Sequence, residues 1–234
     1  MQKITQFLVN LVKQASLIIN KNKTIHKKDD KGDLVTDFDY AIEKFMIENM
    51  KKAYPSFDVI SEEFNPNADA QKNYFLIDPI DGTVNFANNI PLWGIQVACV
   101  QDGQISSAVI YLPDLNELYY ADKNGAYLNG KKITIKDNKN NKKLFGLLQG
   151  HQIKFIENTR HYRYIGCSCV TYSWAIKQCI CGVLFPCENI EKNWDAAPGV
   201  YIAKQAGCVL KNNGHVYAIA DNEKTAQDML KAAN

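Results

Sequence analysis

A chain of 234 residues, 46% hydrophobic and 22% charged, has the size and composition of one globular domain or two packed halves around a sizeable core. A net charge of +2 gives no field that would favour nucleic acid. No apolar run approaches the roughly 20 residues that a membrane-spanning helix needs, so no membrane partner is expected.

Near the start, Ile4, Phe7, Leu8, Leu11, Val12 and Ala15 recur at helical spacing, with Gln6, Asn10, Lys13 and Gln14 between them. The pattern reads as the buried stripe of an amphipathic helix and not as an export signal. The seven cysteines then read as reduced thiols of a cytoplasmic protein. Residues 36–53 are predicted to be helical. Thr36 and Asp39 have capping-box spacing, Ile42, Phe45, Met46 and Met50 line one face, and Tyr54-Pro55 ends the helix. Residues 57–61 and 74–77 are short β-rich runs, each leading into a carboxylate, with a polar loop at 65–72 between them. Residues 94–100 read as a strand, Asp102-Gly103 as a turn into a strand at 105–112, and 113–116 as a further turn. Asn124-Gly125 and Asn129-Gly130 are hairpin signals. The lysine- and asparagine-rich stretch 136–143 reads as a solvated loop. After it the pattern is strand, helix, strand, helix, with a helix opening at Trp194-Asp195 and stopping at Gly207. An antiparallel meander combined with crossing helices predicts a layered α/β fold.

Five cysteines lie close in sequence: Cys167, Cys169, Cys179, Cys181 and Cys187. Their C-x-C spacing is not that of a zinc ribbon, and they read as small core residues.

The segment Asp78-Pro79-Ile80-Asp81-Gly82-Thr83-Val84-Asn85-Phe86 carries the chemistry. A buried strand delivers Asp78, the proline is expected to force a turn, and Asp81 returns on the same side. Two carboxylates three residues apart suit hard cations such as magnesium, which keeps waters and accepts phosphate oxygens. Gly82 and Thr83 follow at an expected helix start, where free backbone N–H groups attract phosphate. Asp-Pro and Asp-Gly are also common turn dipeptides, so the pair alone carries little.

The nine-residue string as a whole resembles the D-P-I-D-G-T-x-N-F signature of the inositol monophosphatase family. Three more segments are similar to family motifs, in the family's order. Asp33-Leu34-Val35-Thr36-Asp37-Phe38-Asp39 resembles D-L-V-T-x-x-D, and Ser61-Glu62-Glu63 resembles an E-E pair. Trp194-Asp195-Ala196-Ala197 through Gly199 resembles W-D-x-A-x-G. The resemblance, which extends to the family's SuhB-like bacterial branch, covers nearly the whole chain.

It implies an α/β fold built as a five-layer αβαβα sandwich. Residues 1–135 would form an N-terminal half with most metal ligands, and 136–234 a C-terminal half with Asp195 and substrate contacts. It also implies a phosphoric monoester hydrolase with two or three Mg²⁺ ions, sensitive to Li⁺, homodimeric, and acting on a small phosphorylated substrate of the inositol monophosphate kind. Glu62, Asp78 and the carbonyl of Ile80 would hold one ion. Asp78, Asp81 and Asp195 would hold a second, and Glu62 would help hold a third. Thr83 would orient the attacking water with Asp39 and Glu62, and Asp33 would support Thr83. The amides of Gly82 and Thr83 would bind the phosphate, with Asp81 and Asp195 beside it. Lys28 stands where the family places a lysine near the site. Glu188 has the spacing of an acid that contacts the sugar ring. Two cations about 3.5–4 Å apart would neutralise the phosphate and lower the pKa of bound water. The residues by themselves leave blander readings open: Thr36 and Asp39 as a helix cap, Asp195 as an N-cap, Glu63 as a solvated neighbour.

The departures from the family lie in the substrate half. Gly166-Cys167-Ser168-Cys169 replaces a G-[ST]-A-A element, Pro198 and Gln205 replace the more usual Ala and Glu, and the stretch 143–164 is shorter. The alternatives are a 3′(2′),5′-bisphosphate nucleotidase, a fructose-1,6-bisphosphatase and an NADP phosphatase, although Asn85 favours the inositol type. An alternative of another class is a transcription-complex interaction protein of the SuhB type, associated with RNA polymerase.

Overall fold

The computed structural model describes residues 1–20, 24–28, 33–70, 72–136, 144–148 and 161–233. Apart from Lys136, the predicted loop at 136–143 lies outside them.

Helix α1 (Lys3–Ser16) buries Ile4, Leu8, Leu11, Val12 and Ala15 as the spacing predicts, while Phe7 stays half-buried and Thr5 and Val9 join the inner face. Strands β1 (Ile25–Lys27) and β2 (Leu34–Thr36) pair antiparallel, and β2 passes directly into α2 (Asp37–Ala53). The capping box forms as expected: the Thr36 hydroxyl accepts from the Phe38 N–H at 3.2 Å, and Asp39 accepts from the Thr36 N–H at 2.7 Å.

Seven strands form the larger sheet in chain order: β3 (Asp58–Ser61), β4 (Tyr74–Asp81), β5 (Gly94–Gln101), β6 (Gln104–Leu112), β7 (Glu117–Asp122), β8 (Gly125–Leu128) and β9 (Lys131–Ile133). Among the described residues of this sheet, only the β3–β4 pair runs parallel. Asn129 and Gly130 both take positive φ, 49° and 82°, which matches a tight hairpin turn to the strand twist. Short helix α3 (Thr83–Ala87) leaves the end of β4.

The smaller sheet has the order β11-β10-β12-β14-β13, built from β10 (Phe145–Leu147), β11 (Tyr162–Tyr164), β12 (Gly182–Pro186), β13 (Val209–Asn212) and β14 (Val216–Ala220). Among the described residues the remaining helices are α4 (Ser168–Ile176), α5 (Ala197–Ala206) and α6 (Glu223–Ala233).

Among the described residues, three apolar cores stack these elements into five layers. Phe75 and Ile77 of β4 face Leu8, Val12, Ile42 and Met46 of α1 and α2. Tyr74 and Leu76, on the opposite face, join Val170, Tyr172, Val200 and Ile202 of α4 and α5, and with them Val183 and Ile219 of the smaller sheet. Leu184 and Ala218 then meet Ala226 and Met229 of α6. The order is α1/α2, large sheet, α4/α5, small sheet, α6, the αβαβα arrangement that the motifs imply. Covered on both faces, β4 is buried throughout, which is why its sequence is continuously apolar before Asp78. Helices α4 and α5 approach so closely that a Cβ at Gly199 would lie 2.1 Å from the Tyr172 ring.

Two local expectations are corrected. Pro79 makes no turn: β4 continues to Asp81, and the pairing with β5 shifts between Asp78 and Asp81. A residue without an N–H fits such a bulge, and the irregularity re-aims the carboxylates that a regular strand would alternate. Helix α5 starts at Ala197, so Asp195 lies before the helix; its N-cap is Ala196, without a side-chain cap.

Candidate active site

Four chain segments meet at the C-terminal end of β4. The bulged end of β4 brings Asp78 and Asp81, the loop after β3 brings Glu62, the approach to α5 brings Asp195, and α3 starts at Thr83. Gly82 turns the chain with φ +85°; a Cβ there would also meet Cys167 at 2.9 Å and the Leu92 carbonyl at 3.0 Å. One oxygen from each of Asp78, Asp81 and Asp195 lies within 4.8 Å of the others. Lys28, Asp33, Glu62, Ile80, Gly82, Thr83 and Asp195 share one cleft with them.

The electrostatics of this cluster are unfavourable without a counter-ion. Burial, and then the charges of Glu62, Asp81 and Asp195, push the Asp78 carboxyl well above the usual range. Burial, and then Asp81 and Glu62, push Asp195 up to about 7. Asp78 Oδ1 is buried with no hydrogen-bond partner. All candidate donors here are carboxylate or carbonyl oxygens, so the residues fit a hard divalent cation, whose charge would remove the repulsion.

Asp81 is held differently. It accepts from the Ser168 N–H at 3.0 Å, the Ser168 hydroxyl at 2.8 Å and the Cys169 N–H, so it caps α4 from another strand. Thr83 Oγ1 donates to the Ile80 carbonyl at 2.8 Å. Asp39 accepts from both the N–H and the hydroxyl of Thr36, and burial, opposed by those bonds, raises it to about 7.

Glu63 is not a solvated neighbour: its side chain is only 5% exposed and pairs with Lys28 at 2.6 Å. Lys28 pairs also with Glu62 at 2.7 Å. Burial opposes the lysine's charge, but the two glutamates outweigh it and raise its pKa. The loop carrying both glutamates is fixed from below by Glu43, fully buried on α2, which accepts from the N–H groups of Glu63 at 2.9 Å and Phe64 at 2.7 Å. Sequence reasoning missed Glu43; its signal was an acid on the inner face of α2 between Ile42 and Met46.

Beside the carboxylates lies a cavity of about 330 Å³ whose far wall includes Leu148, Tyr164, Phe185, Pro186 and Asn193. Asn193 Oδ1 accepts from the Ala196 N–H at 2.8 Å. Glu188 is exposed and does not line this cavity, whereas Asn193, which the motifs did not single out, does. The five cysteines do not converge. Cys167 and Cys169 lie beside Asp81, Cys181 sits in the outer core, and Cys179 is exposed.

A match to the inositol monophosphatase family runs over residues 1–231. The fructose-1,6-bisphosphatase/inositol-1-monophosphatase of Thermotoga maritima is 30% identical over 195 residues, 78% of this chain and 73% of that protein. The Nus factor SuhB of Xylella fastidiosa is 29% identical over 181 residues, 76% of this chain and 60% of that protein. A solved structure of Thermotoga maritima IMPase shares the fold with a TM-score of 0.86 at 23% identity, covering 100% of this chain and 97% of that one. The chain belongs to the inositol monophosphatase family and, with it, to the phosphoric monoester hydrolases. That family is metal-dependent.

Proposed function

We propose that the chain hydrolyses a small phosphate monoester, inositol monophosphate foremost, with two or three Mg²⁺ ions. The observation that carries this reading is the convergence of Asp78, Asp81 and Asp195, together with the buried and unpartnered Oδ1 of Asp78. Glu62, Asp78 and the Ile80 carbonyl would hold one ion, Asp78, Asp81 and Asp195 a second, and Glu62 would help with a third. Bound there, the ions neutralise phosphate charge and make water a better nucleophile. The chain's own part is positioning. The N–H groups of Gly82 and Thr83 receive the phosphate, and Thr83 Oγ1 accepts a hydrogen bond from the attacking water and so orients it. Asp33 and Lys28 line the cleft there, Lys28 adding a positive charge, while Asp39, buried and bonded to Thr36 outside the cleft lining, would act on that corner from behind. The alcohol half occupies the 330 Å³ cavity, with Asn193 as a polar contact beside Asp195. Glu188 stays a substrate contact only in so far as the family spacing implies it.

The division into residues 1–135 and 136–234 belongs to the same reading, because the two parts supply the ligands jointly. So do a homodimer, Li⁺ inhibition and a cytoplasmic location; the free cysteines support the last. Among the described residues, no helix is long and apolar enough to cross a membrane.

The likeness to SuhB supports a second reading, association with RNA polymerase. A panel of inositol monophosphate, fructose 1,6-bisphosphate, 3′-phosphoadenosine 5′-phosphate and NADP, assayed with Mg²⁺, tests the first. Fastest turnover of inositol monophosphate is expected. No turnover of any ester, together with capture of RNA polymerase, would favour the second.

A further inference from the structure

Two side chains outside the proposed ligand set tie the aspartates together. Gln96 lies on β5 directly opposite Asp78 and is fully buried. Its Nε2 donates to Asp78 Oδ2 at 3.2 Å and to Ser168 Oγ at 3.0 Å. Ser168, 72 residues further on, opens α4. It is buried, and its hydroxyl donates to Asp81 Oδ2 at 2.8 Å while its N–H donates to Oδ1 at 3.0 Å.

The donor inventory gives each bond a direction once Asp78 and Asp81 are ionised. With Asp78 ionised, as a bound cation would hold it, the carboxylate only accepts, so Gln96 presents its NH₂ to Asp78 and leaves its own buried Oε1 without a partner. One hydrogen of that NH₂ goes to Asp78 and the other to Ser168 Oγ. The serine hydroxyl, receiving there, has its single hydrogen for Asp81. The run Asp78–Gln96–Ser168–Asp81 therefore uses every side-chain donor it contains. It occupies Oδ2 of Asp78 and leaves Oδ1, the unpartnered oxygen, outside the relay.

We propose that Gln96 and Ser168 are positioning residues for the metal cradle, fixing the separation and orientation of Asp78 and Asp81 and so setting divalent-ion affinity. The inference rests on the metal reading above. Neutral donors suit this role, because they hold two like-charged groups together without supplying a positive charge that would compete with the ion. A further consequence is that the cradle is held between the larger sheet and the middle helical layer, since Gln96 lies on β5 and Ser168 opens α4.

The test is Mg²⁺ binding by calorimetry on the intact protein and on Ser168→Ala, Ser168→Thr, Gln96→Leu and the double variant Ser168→Ala/Gln96→Leu. Melting in EDTA and KM at saturating Mg²⁺ are measured alongside. Loss of an outer partner of a metal ligand typically costs about 10–100-fold in affinity. Each removal should therefore raise the Mg²⁺ Kd about 10-fold or more, and KM at saturating Mg²⁺ should stay native for Gln96→Leu, which lies outside the substrate cavity that Ser168 helps to line. The double variant should bind about as weakly as Gln96→Leu alone, because both belong to one chain of bonds. Ser168→Thr, which keeps the hydroxyl, should retain near-native affinity. Variants that melt lower but bind Mg²⁺ with the native Kd would overturn the proposal while leaving the metal reading intact. A native protein that binds no divalent ion would overturn the metal reading itself. Ser168→Ala, which keeps the backbone N–H bond to Asp81, decides the matter alone if Gln96→Leu fails to fold.

Discussion

The Thr83 hydroxyl donates to the carbonyl oxygen of Ile80 at 2.8 Å, across the bulged end of β4. Its one hydrogen is committed there, so its lone pairs are what it can offer to a water in the cleft. Thr83→Ala removes that acceptor and keeps the backbone N–H. Turnover should fall by about 10²–10⁴-fold with little change in substrate affinity, as for a group that acts mainly in the transition state. Thr83→Ser should keep much of the rate. Steady-state kinetics corrected for folded fraction read the result; normal turnover in Thr83→Ala would remove Thr83 from the catalytic set.

Asp81 and Asp195 should respond differently to neutralisation. Both are proposed metal ligands, and Asp81→Asn and Asp195→Asn should each abolish activity. Asp81 also accepts from two N–H groups and a hydroxyl at the start of α4. An asparagine turns one of those acceptors into a donor, and an unsatisfied buried group costs about 1–3 kcal/mol. Asp195 caps nothing, so its neutralisation relieves repulsion and should leave the metal-free melting temperature unchanged or higher. Thermal melts in EDTA distinguish the two; equal destabilisation by both would contradict the assignment.

Much of this was legible in sequence, for physical reasons that differ by element. The stripe of α1, the capping box of α2 and the continuous apolar run of β4 are local patterns, and burial follows from them. The Pro79 bulge was not legible, because a turn and a bulge use the same residues and only pairing with β5 decides between them. Glu43, Gln96, Ser168 and Asn193 were missed because their partners lie far off in the chain or in a cavity wall. Each is polar on an otherwise apolar face or at an element end, and that was the only signal available.

Asp195 and Asp39 make the metal-free protein sensitive to pH. Burial, with the charges of Asp81 and Glu62, raises Asp195 to about 7, and burial raises Asp39 to about 7. An acid whose pKa is higher in the folded state holds more protons folded than unfolded. Its stabilising contribution is therefore full below the unfolded value of about 4 and is lost as pH rises toward 7. In EDTA the melting temperature should fall between about pH 4 and pH 7, and saturating Mg²⁺ should offset the share that Asp195 contributes. A melting temperature that rises with pH in EDTA would contradict this.

Cys167 and Cys169 should hold no zinc as the protein is purified. Burial pushes the Cys167 thiol up to about 11 and Cys169 well above its usual value, so a metal there would have to displace protons held tightly in a buried setting. Elemental analysis should find no stoichiometric zinc. Tightly held zinc lost on Cys167→Ser would overturn that reading.

The central claim is that carboxylates gathered at the end of β4 work through divalent metal. Phosphate release from inositol monophosphate, measured after EDTA treatment and again after adding excess Mg²⁺, tests it most directly. No turnover in EDTA and full recovery with Mg²⁺ is the predicted result; undiminished turnover in EDTA would contradict it.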